Sequence, residues 1–211
     1  MNFELPYIYP ITDTRISGLS HAEQVERLIA GGATLIQLRE KDASPAEFLD
    51  AAIRAINVAR PHGVKILIND RVDIALAAKA DGVHLGQDDL PPEQARAILD
   101  PDAIIGFSTH TVDQAIRASK LPIDYIAIGP AFATATKADT EPVVGLDGLQ
   151  EVRAAIGDFP LVAIGGINKD NVSAVFEAGA DSAAMIETIL SDAANIEQRF
   201  RELLPPQPGH R

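Results

Sequence analysis

LIQLREKDASPAEFLDAAIRAINVARPHGVKILI, residues 35–68, contains one full repeat of this chain. It opens on a short apolar run, Leu35–Leu38, and closes on another, Lys65–Ile68. Each is too short for a buried helix and is rich in Ile and Leu, as a buried strand requires. Between them Ser44-Pro-Ala-Glu47 reads as a capping box with proline at the first helical position, where a missing N–H does no harm. Phe48, Leu49, Ala52, Ile53, Ile56 and Ala59 then fall on one apolar stripe. The unit is strand, helix, strand.

The same alternation runs through the rest of the chain. Tyr7–Ile11, Gly82–Leu85, Ile104–Phe107, Tyr125–Ile128, Leu161–Ile164 and Ala183–Ile186 bring the short runs to eight. Ser20-His-Ala-Glu23 and Thr111-Val-Asp-Gln114 read as further capping boxes, and Gly31, Gly63 and Gly179 as left-handed helix ends. Most runs are apolar on both parities, the pattern of a parallel sheet covered on both faces. The expectation is a single-domain (β/α)8 TIM barrel over residues 1–204, with Pro205–Arg211 as a disordered tail. An open doubly wound sheet is the alternative, but no G-x-G-x-x-G turn follows the first strand.

Composition narrows the function. A hydrophobic fraction of 46% with 23% charged residues belongs to a folded globular chain. No run approaches the roughly 18 apolar residues of a membrane span, and the start lacks the basic and apolar regions of a signal peptide. Cys is absent, which removes disulfides, thiolate nucleophiles and Cys-based metal sites, and points to a reducing cytoplasm. Eighteen Lys and Arg against thirty Asp and Glu give a net charge of −12, which argues against nucleic acid and anionic membrane as partners. Oligomeric state is not legible. Anionic small molecules would need the few cations gathered locally.

In a barrel of this kind the C-terminal strand ends carry the chemistry. Strand 2 ends Gln37-Leu-Arg-Glu-Lys41, where Gln37, Arg39 and Lys41 share a parity and would converge on the mouth as an anion site; a solvated charge pair is the alternative. Strands 3 and 4 end in Asn69-Asp70 and Asp88-Asp89. Asp70 and Asp89 at adjacent strand ends suit one oxygen-ligated Mg2+, against helix capping and turn chemistry as the other readings. Ser108 and His110 invite a nucleophile reading, but no orienting acid is evident, and Ser108 suits a hydrogen bond to substrate.

The long loop after strand 6 alternates hydroxyls and a cation in Thr134-Ala135-Thr136-Lys137, which suits an anionic ligand or plain solvation. Gly165-Gly166 after strand 7, with Ile186-Glu187 after strand 8, occupies the usual phosphate site of this fold. Two facing anion sites point to joining two phosphate-bearing molecules.

Ile11-Thr-Asp13, Gln37-Leu-Arg-Glu-Lys41, Ile68-Asn-Asp-Arg71, Gly82-Val-His-Leu-Gly-Gln-Asp-Asp89, Gly129-Pro130 with Thr134-x-Thr136-Lys137, Ala163-Ile-Gly-Gly-Ile167 and Ala178-Gly-Ala-Asp181 together resemble the thiamine phosphate synthase family, from about Tyr7 to Ile189. The resemblance implies a transferase that condenses 4-amino-2-methyl-5-(diphosphooxymethyl)pyrimidine with a thiazole ethyl phosphate. Diphosphate leaves first with Mg2+ help, and the thiazole nitrogen captures the pyrimidine-methyl cation. Carried over by motif, residues Gln37, Leu38, Arg39, Glu40, Lys41, Asn69, Ser108 and Lys137 would hold the pyrimidine diphosphate. Arg39, Lys41, Ser108 and Lys137 among them would act in catalysis. Asp70 and Asp89 would hold Mg2+, and Thr134, Ala135, Thr136, Gly166, Ile186 and Glu187 would line the thiazole phosphate site.

Ala133, Ala138 and Glu187 depart from the family pattern, which more often has Pro, Lys and Ser there. Glu187 is expected to turn its carboxylate away from the phosphate and offer its backbone N–H. A related thiazole tautomerase uses a His in the strand-6 region, where Ile128–Phe132 has none; an inactive ligand-binding barrel is the other alternative.

Overall fold

Eight parallel strands close on themselves in sequence order, β1 (Ile8–Thr12), β2 (Leu35–Leu38), β3 (Lys65–Asn69), β4 (Gly82–Leu85), β5 (Ile104–Thr109), β6 (Tyr125–Ile128), β7 (Leu161–Ile164) and β8 (Ser182–Met185). Helices α1 (Thr14–Ser17), α2 (His21–Ala30), α3 (Pro45–Ala59), α4 (Val72–Ala78), α5 (Pro92–Ile98), α6 (Val112–Ala118), α7 (Gly145–Ile156), α8 (Val172–Glu177), α9 (Glu187–Leu190) and α10 (Ile196–Leu203) lie between and after them. This computed structural model describes residues 4–134 and 142–205. The chain is a single-domain (β/α)8 TIM barrel. The expected strands at Tyr7–Ile11 and Ala183–Ile186 are each offset by one residue, and the other runs hold the strands expected of them. The expected tail from Pro205 lies, beyond that residue, outside the described residues.

Both parities are buried for different reasons. Ile36, Leu38, Ile66, Ile68, Val83 and Leu85 pack outward on the helices. Tyr9, Ile11, Leu35, Leu67, Ile104, Tyr125, Val162 and Ala184 fill the barrel interior. Gly106 is required by that filling, since a Cβ there would lie 2.0 Å from Tyr125 Cζ. Any side chain at Gly106 would drive the phenol ring out of the core.

The helix starts at Ser20 and Ser44 are complete capping boxes. Two other local expectations need correction. Thr111 accepts from the Gln114 N–H, but the Gln114 side chain accepts from the His110 N–H instead of returning to Thr111. Gly31 is right-handed (φ −76°), and Gly32 takes the positive φ. Gly31 is small because a Cβ would lie 2.9 Å from the Glu197 carbonyl oxygen of α10.

Candidate active site

After β2, β3 and β4, Lys41, Asp70 and Asp89 come together in one cluster. Lys41 Nζ donates to Asp70 Oδ2 at 2.5 Å. Asp70 holds a left-handed backbone (φ 64°), uncommon outside Gly, Asn and Asp, and its N–H donates to the His84 carbonyl at 2.8 Å. Asp89 Oδ2 accepts the Gly86 N–H at 2.7 Å. Burial raises the Asp89 carboxyl above its usual range; the Gly86 N–H opposes this, the adjacent Asp70 charge adds to it, and Lys41 offsets part.

Two carboxylates close enough to repel, both hard oxygen donors, fit a divalent cation. Among the described residues no group of three or more His, Cys, Asp and Glu is arranged to hold a metal. A two-carboxylate site completed by water and substrate phosphate is the usual preference of Mg2+.

The parity argument for residues 37–41 holds only as far as Gln37, because β2 ends at Leu38. Arg39 does not present a free cation at the mouth. It is 7% exposed and donates to Asp13 Oδ2 at 2.5 Å. Asp13 also caps α1 and accepts from the Arg15 guanidinium. Burial alone would raise the Asp13 carboxyl, but the Arg15 hydrogen bonds and the Arg39 charge hold it below the ordinary range.

Glu40 is likewise engaged within the protein. Its Oε1 accepts the N–H groups of Lys41, Asp42 and Ala43, and its Oε2 accepts the Thr14 hydroxyl. The carboxylate therefore shapes the turn that presents Lys41. Leu38, expected beside the substrate, points outward into the helix-facing core.

A chain of buried polar groups crosses the interior. Gln37 Nε2 donates to Tyr9 OH at 2.9 Å, Tyr9 OH meets Tyr125 OH at 3.0 Å, and Tyr125 OH meets His84 Nδ1 at 2.8 Å. His84 Nε2 then meets Ser108 Oγ at 2.8 Å. Burial raises both phenols, so they stay protonated. Ser108 thus pairs with His84 and not with His110, whose Nδ1 lies 2.6 Å from the Gly129 carbonyl. Behind His84 stands a neutral phenol, and among the described residues no carboxylate is hydrogen-bonded to its ring as the orienting acid of a nucleophilic triad would be. Asn69 is buried on the same inward parity as Leu67.

A cavity of about 520 Å3 opens over β5–β8, and Ser108, Thr134, Gly166, Ile186 and Glu187 all line it. Gly165 and Gly166 both have positive φ. A Cβ on the first would lie 2.6 Å from Pro130 Cβ, and one on the second 2.6 Å from the Ala133 carbonyl oxygen. The turn after β7 and the loop after β6 are therefore in direct backbone contact, tied also by Phe132 N–H to the Gly165 carbonyl at 3.0 Å. Glu187 opens α9 and is exposed, and no side chain caps that helix. Ala135, Thr136 and Lys137 lie outside the described residues.

A model of the thiamine monophosphate synthase family matches residues 8–189. The chain belongs to this family. It is 45% identical over 208 residues to the thiamine-phosphate synthase of Koribacter versatilis, covering 95% of this chain and 97% of the relative. It is 48% identical over 186 residues to that of Clostridium novyi, covering 88% and 91%. A solved thiamine phosphate pyrophosphorylase from Pyrococcus furiosus superposes with a TM-score of 0.83 at 37% identity, covering 93% of this chain and 92% of that one. The tautomerase and the inactive-barrel alternatives find no support in these relatives, which are named as thiamine-phosphate synthases or, for the solved structure, a thiamine phosphate pyrophosphorylase.

Of the residues expected from the family resemblance, Lys41, Asp70 and Asp89 lie together and Ser108, Thr134, Gly166, Ile186 and Glu187 line the cavity, while Gln37, Leu38, Arg39, Glu40 and Asn69 belong to neither group. Ser108 borders the cavity while bonded to His84 of β4. Sequence reading missed Asp13, Tyr9, His84 and Tyr125 as members of the site. Asp13 had a signal, since an acid directly at a strand end is the usual place for function in this fold. Tyr9 and Tyr125 had none, because a tyrosine inside an apolar run looks like core. No helix among the described residues is long and apolar enough to cross a membrane.

Proposed function

We propose that this transferase condenses 4-amino-2-methyl-5-(diphosphooxymethyl)pyrimidine with a thiazole ethyl phosphate, giving thiamine phosphate and diphosphate. The observation that carries the reading is the pairing, at one barrel mouth, of a carboxylate–lysine cluster with a cavity large enough for a ring and its phosphate. Asp70 and Asp89 would hold Mg2+, which when bound neutralises charge on the departing diphosphate. Lys41 adds a mobile cation beside it. Gln37 and Ser108 offer polar groups to the aminopyrimidine from opposite sides of the barrel, and Asn69 lies on the same inward parity. Arg39 is held by Asp13 and would reach the substrate only on leaving that pair. The turn at Gly166, the start of α9 and Thr134, with Ala135, Thr136 and Lys137 beyond it, are the acceptor side.

The aminopyrimidine stabilises its own methyl cation, so no strong base or nucleophile is required; positioning and charge neutralisation supply the acceleration. The absence of an acid behind His84 agrees with that demand. The test is diphosphate release by the purified chain, expected only when both substrates and Mg2+ are present. Release from the pyrimidine substrate alone at the same rate would sink the reading. A cytoplasmic location suits these substrates.

A further inference from the structure

The polar chain across the barrel has a direction. Gln37 Nε2 can only donate, so Tyr9 oxygen accepts and its single proton is left for Tyr125 oxygen. In that order Tyr125 gives its own proton to His84 Nδ1, which is then the unprotonated ring nitrogen. His84 carries its proton on Nε2 and donates it to Ser108 Oγ. In this order Ser108 accepts from within the barrel and keeps its hydroxyl proton for the cavity it lines. Each step uses one donor and one acceptor, and buried groups of this kind are rarely left unmatched.

We infer that Tyr9, Tyr125 and His84 are positioning residues that fix His84 as the Nε2–H tautomer and so present Ser108 to the substrate as a hydrogen-bond donor. The inference rests on the proposed role of Ser108 in holding the pyrimidine. The raised phenols agree with it, since both protons stay in place. The rings also lie close, with the His84 and Tyr125 centroids 5.5 Å apart at 24°. If the Gln37 amide were turned over, its oxygen would accept from Tyr9 and every proton in the chain would reverse. His84 would then be the Nδ1–H form, and Ser108 would present only its oxygen lone pairs.

The two directions differ in one measurable place. Nitrogen-15 NMR of the full-length chain, with His84 assigned from the signals missing in His84→Gln, should show Nδ1 unprotonated and Nε2 protonated. Tyr125→Phe keeps the ring that Gly106 accommodates but cuts the chain. It should lose the single tautomer and lower kcat/KM for the pyrimidine diphosphate about tenfold, the order of one lost directed hydrogen bond, leaving the thiazole phosphate KM unchanged. In a Ser108→Ala background the same substitution should cost nothing further, because both act through one hydroxyl.

An Nδ1–H signal in the wild-type protein, or an undiminished loss in the Ser108→Ala background, would overturn the inference. Should Tyr125→Phe not fold, the wild-type tautomer decides alone. A wild-type chain with the expected tautomer but no synthase activity would instead refute the proposed function and leave the proton order standing.

Discussion

Lys41 Nζ lies 2.5 Å from Asp70 Oδ2, so the cation expected to meet the diphosphate rests on a carboxylate expected to meet the metal. The pair, at side-chain exposures of 43% and 24%, is screened by solvent and adds little to the fold. Asp70 would hold the metal and Lys41 would neutralise the leaving group, so the two partners of this pair would serve different charges of the bound state.

Lys41→Ala should therefore leave stability nearly unchanged while raising the KM for the pyrimidine diphosphate, lowering kcat, or both. A charge-assisted contact of about 1.5–3 kcal/mol corresponds to about ten- to a hundredfold. Steady-state kinetics check it; a change confined to the thiazole phosphate KM would mean the two pockets are reversed.

Asp70→Asn should remove charge without disturbing the backbone, because Asn tolerates the left-handed conformation at φ 64° about as well as Asp. Thermal unfolding should match wild type, while the Mg2+ concentration for half-maximal activity rises strongly and turnover slows. Full activity at limiting Mg2+ would remove the metal assignment.

Glu187 is exposed at the start of α9 and borders the cavity, where a carboxylate turned onto a phosphate would repel it, so the backbone N–H is the group expected to meet the phosphate. Glu187→Ser should change the thiazole phosphate KM by less than about threefold, under about 1 kcal/mol. A tenfold improvement would show the carboxylate facing the phosphate.

His21 is buried under β1, with Nδ1 2.7 Å from Thr12 Oγ1 and Nε2 3.5 Å from Glu40 Oε2, too long for a good hydrogen bond. Burial lowers its pKa from 6.5, only partly opposed by the Glu40 and Asp13 charges. The folded value lies below the unfolded one, so the stability linked to neutral His21 is present above about pH 6.5 and is lost as pH falls through the folded value. Tm should fall less between pH 7 and pH 5 in His21→Gln than in wild type. Equal slopes would assign the acid sensitivity to other groups.

The strands were legible because most are largely apolar on both parities over four to six residues, a pattern visible in local sequence. Asp70 and Asp89 were legible because strand ends are fixed once the strands are. Tyr9 and Tyr125 were not, since the bond between them spans 116 positions and neither residue looks polar in its own run. The structural role of Glu40 was hidden for the opposite reason. Its neighbours suggested substrate, while its carboxylate closes a local turn that only the folded backbone defines. Arg39 shows the same limit, because the buried partner that occupies it lies 26 positions away.

The close backbone contact between Pro130–Ala133 and Gly165–Gly166 divides the cavity into a wall that cannot vary and one that can. A side chain at either glycine would push two loops apart at once, so acceptor preference cannot drift by substitution there. Ile186, Glu187, Thr188 and Ser191 also line the cavity and already carry side chains, so the constraint that fixes the glycines does not apply to them. Library design for a barrel accepting a bulkier or differently charged thiazole should randomise those four positions and leave the glycines alone.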